Sequence, residues 1–293
     1  MRPGLVGAGC LGFTGCLLSA SLGGLTGGTE AAGGAAADGG DAAPSLDAAD
    51  AMADASATDG GSDAPAEGAA SYSATVLGDD PLLYFRLDEM SGAIAHDLSG
   101  NARDGTYVGN VTLGASGATP DGDTSVNLDG TSGTIQASAA LAFAGLAAMT
   151  LEVWVLPVST ALQYSPVAAK EDIAAPRDGY LLWLRVPSTG STAGFERWAT
   201  TANKALTSAA LPPMTWHHLV ATYDGSNARL YLDGVLQSAA ASSLLLAQTV
   251  VPLSFGSNAY EGTFYAGRLD EVAVYGHALA ANRVLAHYQA SGR

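Results

Sequence analysis

Cysteine and basic residues are both scarce in this chain of 293 residues. The only two cysteines, Cys10 and Cys16, lie near the N-terminus, which excludes a disulfide within the rest of the chain. The 12 Lys and Arg residues are outnumbered by 28 Asp and Glu, giving a formal net charge of −16. Binding to a phosphate backbone needs a basic stripe, and because none occurs here, nucleic acid is not an expected partner.

Residues 27–70 lack aromatic, Lys and Arg residues and consist almost wholly of Ala, Gly, Asp, Ser, Thr and Pro. Nine acidic residues lie between positions 30 and 67. Such a segment buries too little apolar surface to offset its ordering entropy, so we predict a disordered linker that is extended by its like charges. Residues 71–293 are long enough for one large domain with a substantial core.

Residues 1–26 are predicted to be an export segment, because a charged residue precedes a short apolar run rich in small residues. Cys16 follows Phe13-Thr14-Gly15, which is similar to the lipobox of bacterial lipoproteins, where the signal is cut before a lipidated cysteine. Cys10 is the second candidate for lipidation, and an ordinary cleaved signal is the alternative. We therefore expect an exported protein of the cell envelope, lipid-anchored or periplasmic or extracellular, that meets the membrane only through such an anchor.

The remainder of the chain contains about a dozen short apolar runs separated by Gly, Asp, Asn and Pro. This texture predicts antiparallel β-structure. The clearest local structure is a hairpin in which Asp224-Gly225-Ser226-Asn227 joins Trp216–Tyr223 to Ala228–Leu232. Both faces of Thr150–Leu156 are largely apolar, which predicts a central strand. Only Leu279–Tyr288 spaces its apolar residues as a helix does, and Leu279, Val284, Leu285 and Tyr288 are predicted to share one face of it.

Five sequence regions, in order, resemble the laminin-G-like family of the concanavalin A-like lectin/glucanase superfamily, and the resemblance covers residues 72–290. The regions are Tyr84–Glu89 with Asp97–Asn101, Val126–Gly130, Met149–Val155, Trp216–Gly234 and Arg268–Leu279. The resemblance implies an all-β jelly-roll sandwich of two antiparallel sheets. It also implies a non-catalytic adhesion module of the bacterial cell envelope that binds a glycan or a cell-surface protein. A structural spacer or assembly module without a small ligand is the alternative.

A calcium site is the first candidate, because the loop Asp97–Gly105 gathers carboxylate, amide and carbonyl oxygens, which Ca²⁺ prefers. The resemblance implies that such a loop meets the closing strand, which would add Asp270 or Glu271. We therefore predict a structural Ca²⁺ site at Asp97, Asn101 and Asp270. The alternative is that the loop consists of ordinary Asx and Asp-Gly turns.

Aromatic side chains are the second candidate, because sugar rings stack on flat aromatic faces. Strand alternation places Trp183 and Arg185 on one face and permits a solvent-facing indole beside a cation, although core packing is the favoured prediction for Trp183. Tyr260 and Phe264 flank a Glu-Gly-Thr loop, where exposure favours ligand contact. We predict these four residues as the ligand-binding set. The aromatic residues considered for it are Trp183, Trp198, Tyr164, Tyr260 and Phe264.

Catalysis is not expected from this sequence. Retaining glucanases of the superfamily carry Glu-x-Asp-x-x-Glu on one strand, and retaining hydrolysis needs two carboxylates about 5–5.5 Å apart. Here Glu152 has no partner on its strand. Asp270 and Glu271 are adjacent and are predicted to point to opposite faces, and the same holds for His217 and His218. An atypical glycoside hydrolase is the least favoured alternative.

Overall fold

The structure is a computed structural model. It describes residues 71–137, 147–158, 164–172, 177–185, 191–199, 202–244, 249, 251–258 and 261–293. Cys10, Cys16 and Tyr260 lie outside these residues, as do the predicted export segment and linker, so the predictions made for them stay predictions.

The described residues form two α-helices and eighteen strands. The helices are α1 (Tyr72–Leu77) and α2 (Ala281–Ala290). The strands are β1 (Leu83–Phe85), β2 (Ile94–Ala95), β3 (Gly105–Val108), β4 (Val111–Ser116), β5 (Thr124–Asp129), β6 (Thr134–Gln136), β7 (Met149–Pro157), β8 (Ser165–Asp172), β9 (Asp178–Arg185), β10 (Ser191–Ala199), β11 (Ala202–Leu211), β12 (His217–Tyr223), β13 (Asn227–Leu232), β14 (Val235–Ala241), β15 (Ser254–Phe255), β16 (Ser257–Asn258), β17 (Thr263–Phe264) and β18 (Ala266–Tyr275). In the part of the chain that the structure describes, no helix has the length and apolar character needed to cross a membrane.

Sixteen of these strands belong to two eight-stranded sheets whose neighbours pair antiparallel. Sheet 1 has the order β14-β13-β12-β7-β18-β5-β4, and β1 also pairs with β18. Sheet 2 has the order β11-β10-β9-β8-β15-β6-β3-β2, while β16 and β17 form a separate ribbon. The predicted two-sheet antiparallel sandwich is confirmed.

The inner faces of the two sheets enclose one hydrophobic core, and β7 shows how the sequence creates it. Leu151, Val153 and Val155 belong to this core, whereas Trp154 belongs to a second cluster on the outer face of sheet 1. Successive side chains of a strand point to opposite faces, so both faces of β7 are buried. Because β7 pairs with β12 on one side and β18 on the other, the predicted central strand is confirmed.

Asp-Gly turns shape the edge of sheet 1. Asp224 accepts hydrogen bonds from the backbone N–H groups of Ser226 and Asn227 at 2.9 and 2.7 Å, which closes the β12–β13 hairpin as predicted. Asp233 and Gly234 have φ values of 51° and 75°, and a two-residue turn with both values positive joins β13 to β14. Strand β14 was not predicted, because its small and polar residues form no apolar run.

Helices α1 and α2 pack on the outer face of sheet 1. Helix α2 confirms the predicted helical segment, but Leu285 is 40% exposed while Val284 and His287 are buried. The prediction for Leu285 is wrong, because the apolar pattern left out a buried histidine that bonds to the sheet. Helix α1 was not predicted, since six residues are too few to show a helical period.

Candidate functional site

Buried and partly exposed aromatic and charged side chains gather on the outer face of sheet 2, at strands β8, β9 and β10. We call this group the Trp183 face. It consists of Tyr164, Glu171, Arg177, Trp183, Glu196, Trp198 and Glu261. Cross-strand pairing explains much of the grouping, because Leu181 lies opposite Glu196 and Gly179 lies opposite Trp198. Paired residues point to the same side of a sheet, so residues distant in sequence share one surface.

Trp183 lies flat against the backbone of β10. A Cβ atom at Gly194 would lie 2.1 Å from the indole ring, so only glycine fits beneath it. The indole N–H donates to Glu196 Oε1 at 3.1 Å, and the ring of Tyr164 lies 5.6 Å away. Trp183 shares its face with Arg185 as predicted, but it is only 6% exposed. The indole is packed between its neighbours, as the favoured prediction of core packing had it, and it does not face solvent.

Three glutamates on the Trp183 face surround one guanidinium. Arg177 Nε donates to Glu171 Oε1 at 2.6 Å, and Arg177 Nη2 lies 3.5 Å from Glu261 Oε1. The same guanidinium lies 3.8 Å above the ring centre of Trp198. The buried Glu171 also accepts a hydrogen bond from the Asn258 amide at 3.0 Å. Arg177 is thus engaged by a ring and two carboxylates.

The carboxylates of this face carry more negative charge than Arg177 balances. Burial raises the pKa of Glu196, and Glu171 and Glu261 raise it further, against the opposing effects of the Trp183 hydrogen bond and Arg177. Burial and the charge of Glu171 likewise raise the pKa of Glu261. A ligand that brings hydrogen-bond donors or positive charge would relieve this repulsion.

The other predicted ligand residues have separate positions. Arg185 is exposed on β9, two residues beyond Trp183. Phe264 is half-buried in β17, opposite Ser257 of β16, in a ribbon that lies against β8. The structure therefore places Arg185 beside the Trp183 face and Phe264 in a ribbon that borders the same strand. Tyr260 lies outside the described residues.

The predicted calcium ligands belong to two separate hydrogen-bond groups. Asp97 accepts from the backbone N–H groups of Tyr84, Ser99 and Arg103 at 2.9–3.0 Å. The bond to Ser99 makes the Asx turn that was the alternative prediction. The Asn101 amide donates to two backbone carbonyls that precede β1, each at 3.2 Å. Both carboxylate oxygens of Asp97 are thus engaged in holding the loop itself.

Asp270 lies instead beside two other carboxylates. Its Oδ2 accepts from the Ala118 backbone N–H at 2.7 Å, and burial together with Asp123 and Glu271 raises its pKa. Glu271 also interacts with Asp123. The prediction that Asp270 and Glu271 point apart is wrong, because the register shifts between Asp270 and Ala273 and Glu271 has a φ of 49°. A bulge of this kind redirects side chains.

Arg86 partly neutralises these carboxylates, and a small cleft opens beside it. The guanidinium lies 3.0 Å from Asp123 and 3.4 Å from both Asp88 and Glu271. The cleft of about 260 Å³ is lined by Arg86, Asp88, Met90, Asp121, Gly122, Asp123 and Thr124. Among the residues that the structure describes, no group of three or more His, Cys, Asp or Glu side chains is arranged to hold a metal ion. Calcium binding stays a prediction.

Glu152 forms the centre of a third, fully buried group under the helices, which we call the Glu152 network. Its Oε1 accepts from Tyr72 at 2.8 Å and lies 2.8 Å from His218 Nε2 and 2.9 Å from His287 Nδ1. Its Oε2 accepts from Tyr275 at 2.7 Å. The carboxylate and both histidines are buried, so this network joins the helices to the sheet and offers no surface to a ligand.

The adjacent histidines of β12 take different partners. His217 Nδ1 lies 2.9 Å from Asp233 Oδ2 at the β13–β14 turn, whereas His218 faces Glu152. Their predicted divergence is confirmed. Sequence reasoning found no role for Glu152, because its partners lie 66 to 135 positions away along the chain and carry no shared motif.

Comparisons with known proteins agree on the fold. The family model Laminin_G_3, described as "Concanavalin A-like lectin/glucanases superfamily", matches residues 129–285, more than half of the chain. A search of curated proteins found no match.

Several solved structures are similar to this chain at low sequence identity. One is domain 4 of AbnA, a GH43 extracellular arabinanase from Geobacillus stearothermophilus, in complex with arabinotriose; it is 16% identical, with a TM-score of 0.55 over 72% of this chain and 98% of that one. Another is the botulinum neurotoxin serotype D ligand binding domain in complex with N-acetylneuraminic acid, 13% identical, with a TM-score of 0.55 over 75% of this chain and 52% of that one. A third is the binding domain of botulinum neurotoxin DC in complex with rat synaptotagmin II, 11% identical, with a TM-score of 0.52 over 73% and 52%.

The chain spans about half the length of the neurotoxin domains, and identities this low show the fold alone. The family match and the two antiparallel sheets lead to one conclusion. This chain belongs to the concanavalin A-like lectin/glucanases superfamily.

Proposed function

We propose that residues 71–293 form a non-catalytic glycan-binding module of the cell envelope, and that the glycan binds on the Trp183 face. The observation that carries this proposal is the alternation of aromatic rings with carboxylates on one outer sheet face. Sugar rings stack on aromatic faces, while carboxylates accept hydrogen bonds from sugar hydroxyls. Similar folds that bind arabinotriose or N-acetylneuraminic acid support the proposal at the level of the fold.

We assign each side chain of the Trp183 face a role in glycan binding from how far it is exposed. Tyr164 and Trp198 are half-buried, so each ring can offer one side to a sugar. Trp183 packs against the Tyr164 ring and holds Glu196 through its indole N–H. That bond uses Oε1 of Glu196, so Oε2 is the oxygen that we assign to a sugar hydroxyl. Glu261, whose side chain is 30% exposed, provides a second acceptor at the other end.

The charges of the face favour some glycans over others. Among the described residues of the Trp183 face, Arg177 is the one cation beside Glu171, Glu196 and Glu261, so an acidic glycan would bring further negative charge to a repulsive site. We expect neutral and amino-bearing oligosaccharides to bind more tightly than uronic or sialic acid oligosaccharides. Raising the salt concentration should narrow this difference, because partly exposed charges are screened.

Binding is tested by calorimetric titration of the full chain with neutral, amino-bearing and acidic oligosaccharides chosen from a glycan array. Trp198→Ala should weaken binding about tenfold, equivalent to about 1.4 kcal/mol. Trp216→Ala is the matched control, because Trp216 is a half-buried tryptophan packed on the outer face of sheet 1. Equal weakening by both variants would argue against the Trp183 face. If no glycan bound but a matrix protein did, the proposed ligand would be a protein and not a glycan.

Anchoring of the module is a separate part of the proposal, and it rests on the sequence around Cys16. We propose that Cys16 is lipidated after export and that residues 27–70 link it to the module. Metabolic labelling with a fatty-acid analogue should label the wild-type protein but not Cys16→Ala. Labelling that is lost only in Cys10→Ala would move the lipid to Cys10. An absence of label would favour a cleaved signal without an anchor.

A further inference from the structure

His287 on α2 lies between two carboxylates. Its Nδ1 lies 2.9 and 3.0 Å from the two carboxylate oxygens of Glu152, and its Nε2 lies 2.8 Å from Asp79 Oδ2. An ionised carboxylate only accepts hydrogen bonds, and a neutral imidazole carries one N–H. Both contacts can be hydrogen bonds only when both ring nitrogens of His287 carry protons. With both carboxylates ionised, this geometry requires an imidazolium.

We propose that this imidazolium is a proton-dependent latch that holds helices α1 and α2 on sheet 1, and that loss of its proton at alkaline pH loosens α1. Helix α1 is the first described element after the predicted linker. Because α1 directly follows the predicted linker, its attachment to sheet 1 would then depend on pH.

Helix α1 has few other contacts of comparable strength. Only Tyr72 and Val76 are buried among its six residues. Tyr72 donates to Glu152 at 2.8 Å, and Asp79, just after the helix, accepts from Arg283 Nε at 2.8 Å. Both ends of α1 are thus tied to carboxylates that His287 also contacts. A change in the charge of His287 therefore alters the interactions at both ends of α1.

The ionisable groups around His287 come from every element packed against it. They are Glu152 on β7, Asp79 after α1, Tyr72 on α1, Tyr275 on β18, His218 on β12 and Arg283 on α2. Among the residues that the structure describes, His218 Nδ1 has no hydrogen-bond partner, and its Nε2 lies 2.8 Å from Glu152 Oε1. Arg283 contacts Asp79, and a protonated His287 brings a positive charge to both Glu152 and Asp79. Deprotonating His287 leaves an unbalanced negative charge in a buried site, which is costly.

The direction of the pH effect follows from these contacts. Burial lowers the pKa of His287, but the charges and hydrogen bonds of Glu152 and Asp79 outweigh it, so that this pKa is raised above its usual value. The stabilisation is therefore complete below about pH 6.5, the pKa of an unfolded histidine, and it is lost as the pH rises through the folded-state pKa.

The protonation state is tested directly on the full chain with ¹⁵N-labelled histidine. Nitrogen chemical shifts separate an imidazolium from either neutral tautomer, and the His287 signal is the one that is missing from His287→Gln. We expect both ring nitrogens of His287 to carry protons at pH 7 and to titrate at higher pH. A neutral His287 at pH 7 would overturn the proposal.

Loosening of α1 is tested by amide hydrogen exchange between pH 6 and 9, corrected for intrinsic rates and referenced to β12. Above the pKa of His287, opening of α1 should rise about tenfold per pH unit relative to β12. Asp79→Asn should shift this rise to lower pH, because it removes one of the two carboxylates that hold the proton. Asp233→Asn is the matched control, since it breaks the separate His217–Asp233 contact and should leave the profile of α1 unchanged. Constant protection of α1 in the wild type would contradict the latch.

Discussion

The Glu152 network and the Trp183 face use similar residues on the outer faces of the two sheets, yet their environments differ. Each combines a tryptophan with a glutamate, but helices cover Trp154 and Glu152, whereas Tyr164 and Glu196 remain partly exposed. Glu152 is surrounded by histidines, and against the effect of burial they hold its pKa well below the usual range. Glu196 has other glutamates as neighbours, and its pKa is raised. The Glu152 network is covered by helices and its charges are balanced, so it joins the helices to the sheet. The Trp183 face is partly exposed and its charges are unbalanced, so it remains available to a ligand.

Removing the central carboxylate of each region gives the largest expected difference. Glu152→Ala leaves the imidazolium of His287 buried with one of its two partners gone, and it should lower the free energy of unfolding by about 3–5 kcal/mol. Glu196→Ala should cost less than about 1 kcal/mol, because its site is partly exposed and repulsive. Urea unfolding monitored by tryptophan fluorescence measures both. Equal losses of unfolding free energy in the two variants would contradict the distinction drawn between the Glu152 network and the Trp183 face.

The packing beneath Trp183 is tested at Gly194. Gly194→Ala places a methyl group within 2.1 Å of the indole, so the ring must move outward. We expect a loss of about 1–3 kcal/mol in unfolding free energy and a tryptophan emission shifted to longer wavelength. Gly78→Ala is the control, because Gly78 has helical dihedral angles and its nearest neighbour would lie 3.3 Å from the new Cβ. An unchanged emission in Gly194→Ala would show that the ring does not depend on the glycine.

The two glutamates should respond to pH in opposite directions. The lowered pKa of Glu152 provides stability that is present above its unfolded value and is lost as the pH falls through the folded value. The raised pKa of Glu196 works the other way, so its ionisation lowers stability as the pH rises from about 4.5. Glu196→Gln should therefore raise the melting temperature by about 1–2 °C at pH 7 and change it little at pH 4. A lower melting temperature at pH 7 would contradict the repulsion inferred here.

Calcium should have a modest effect on the stability of the native state. A ligand bound only to the native state stabilises it by RT ln(1 + [L]/Kd), about 1.4 kcal/mol for 10 mM calcium and a Kd near 1 mM. We expect a melting temperature a few degrees higher in calcium than in chelator, lost in Asp270→Asn, whose carboxylate lies beside Asp123 and Glu271. Asp97→Asn should retain the shift, because backbone N–H groups occupy the Asp97 oxygens. An unchanged melting temperature of the wild-type protein in calcium would contradict the predicted calcium site.

Regular patterns made much of the fold predictable. Alternating apolar residues in Thr150–Leu156 and the Asp-Gly turns around Ala228–Leu232 report local physics, since strand alternation and turn dihedral angles depend on neighbouring residues. Most predicted runs correspond to observed strands within a few residues, and the central position of β7 follows from its two apolar faces. Strand β14 and helix α1 were missed, because the first lacks an apolar run and the second is too short to show a period.

The candidate site was less predictable. Trp183 and Arg185 share a face because they are two residues apart on one strand, and the sequence was sufficient to see this. The degree of burial of Trp183 depends on Gly194 and Tyr164, which belong to other segments of the chain. A single sequence does not state which segments pair, so exposure could not be read from it.

The sequence by itself determined the antiparallel strands, the central strand and the β12–β13 hairpin, because these follow from the period of the strand and from turn chemistry. The two-sheet sandwich was implied by the resemblance to the laminin-G-like family. Tertiary structure alone decided the environment of each ionisable group. Glu152 meets Tyr72, His218 and His287 only because antiparallel pairing and helix packing bring distant segments together. Glu171 and Glu261 meet Arg177 for the same reason. Electrostatic energies depend on distance and burial, and both are set only once the chain is folded.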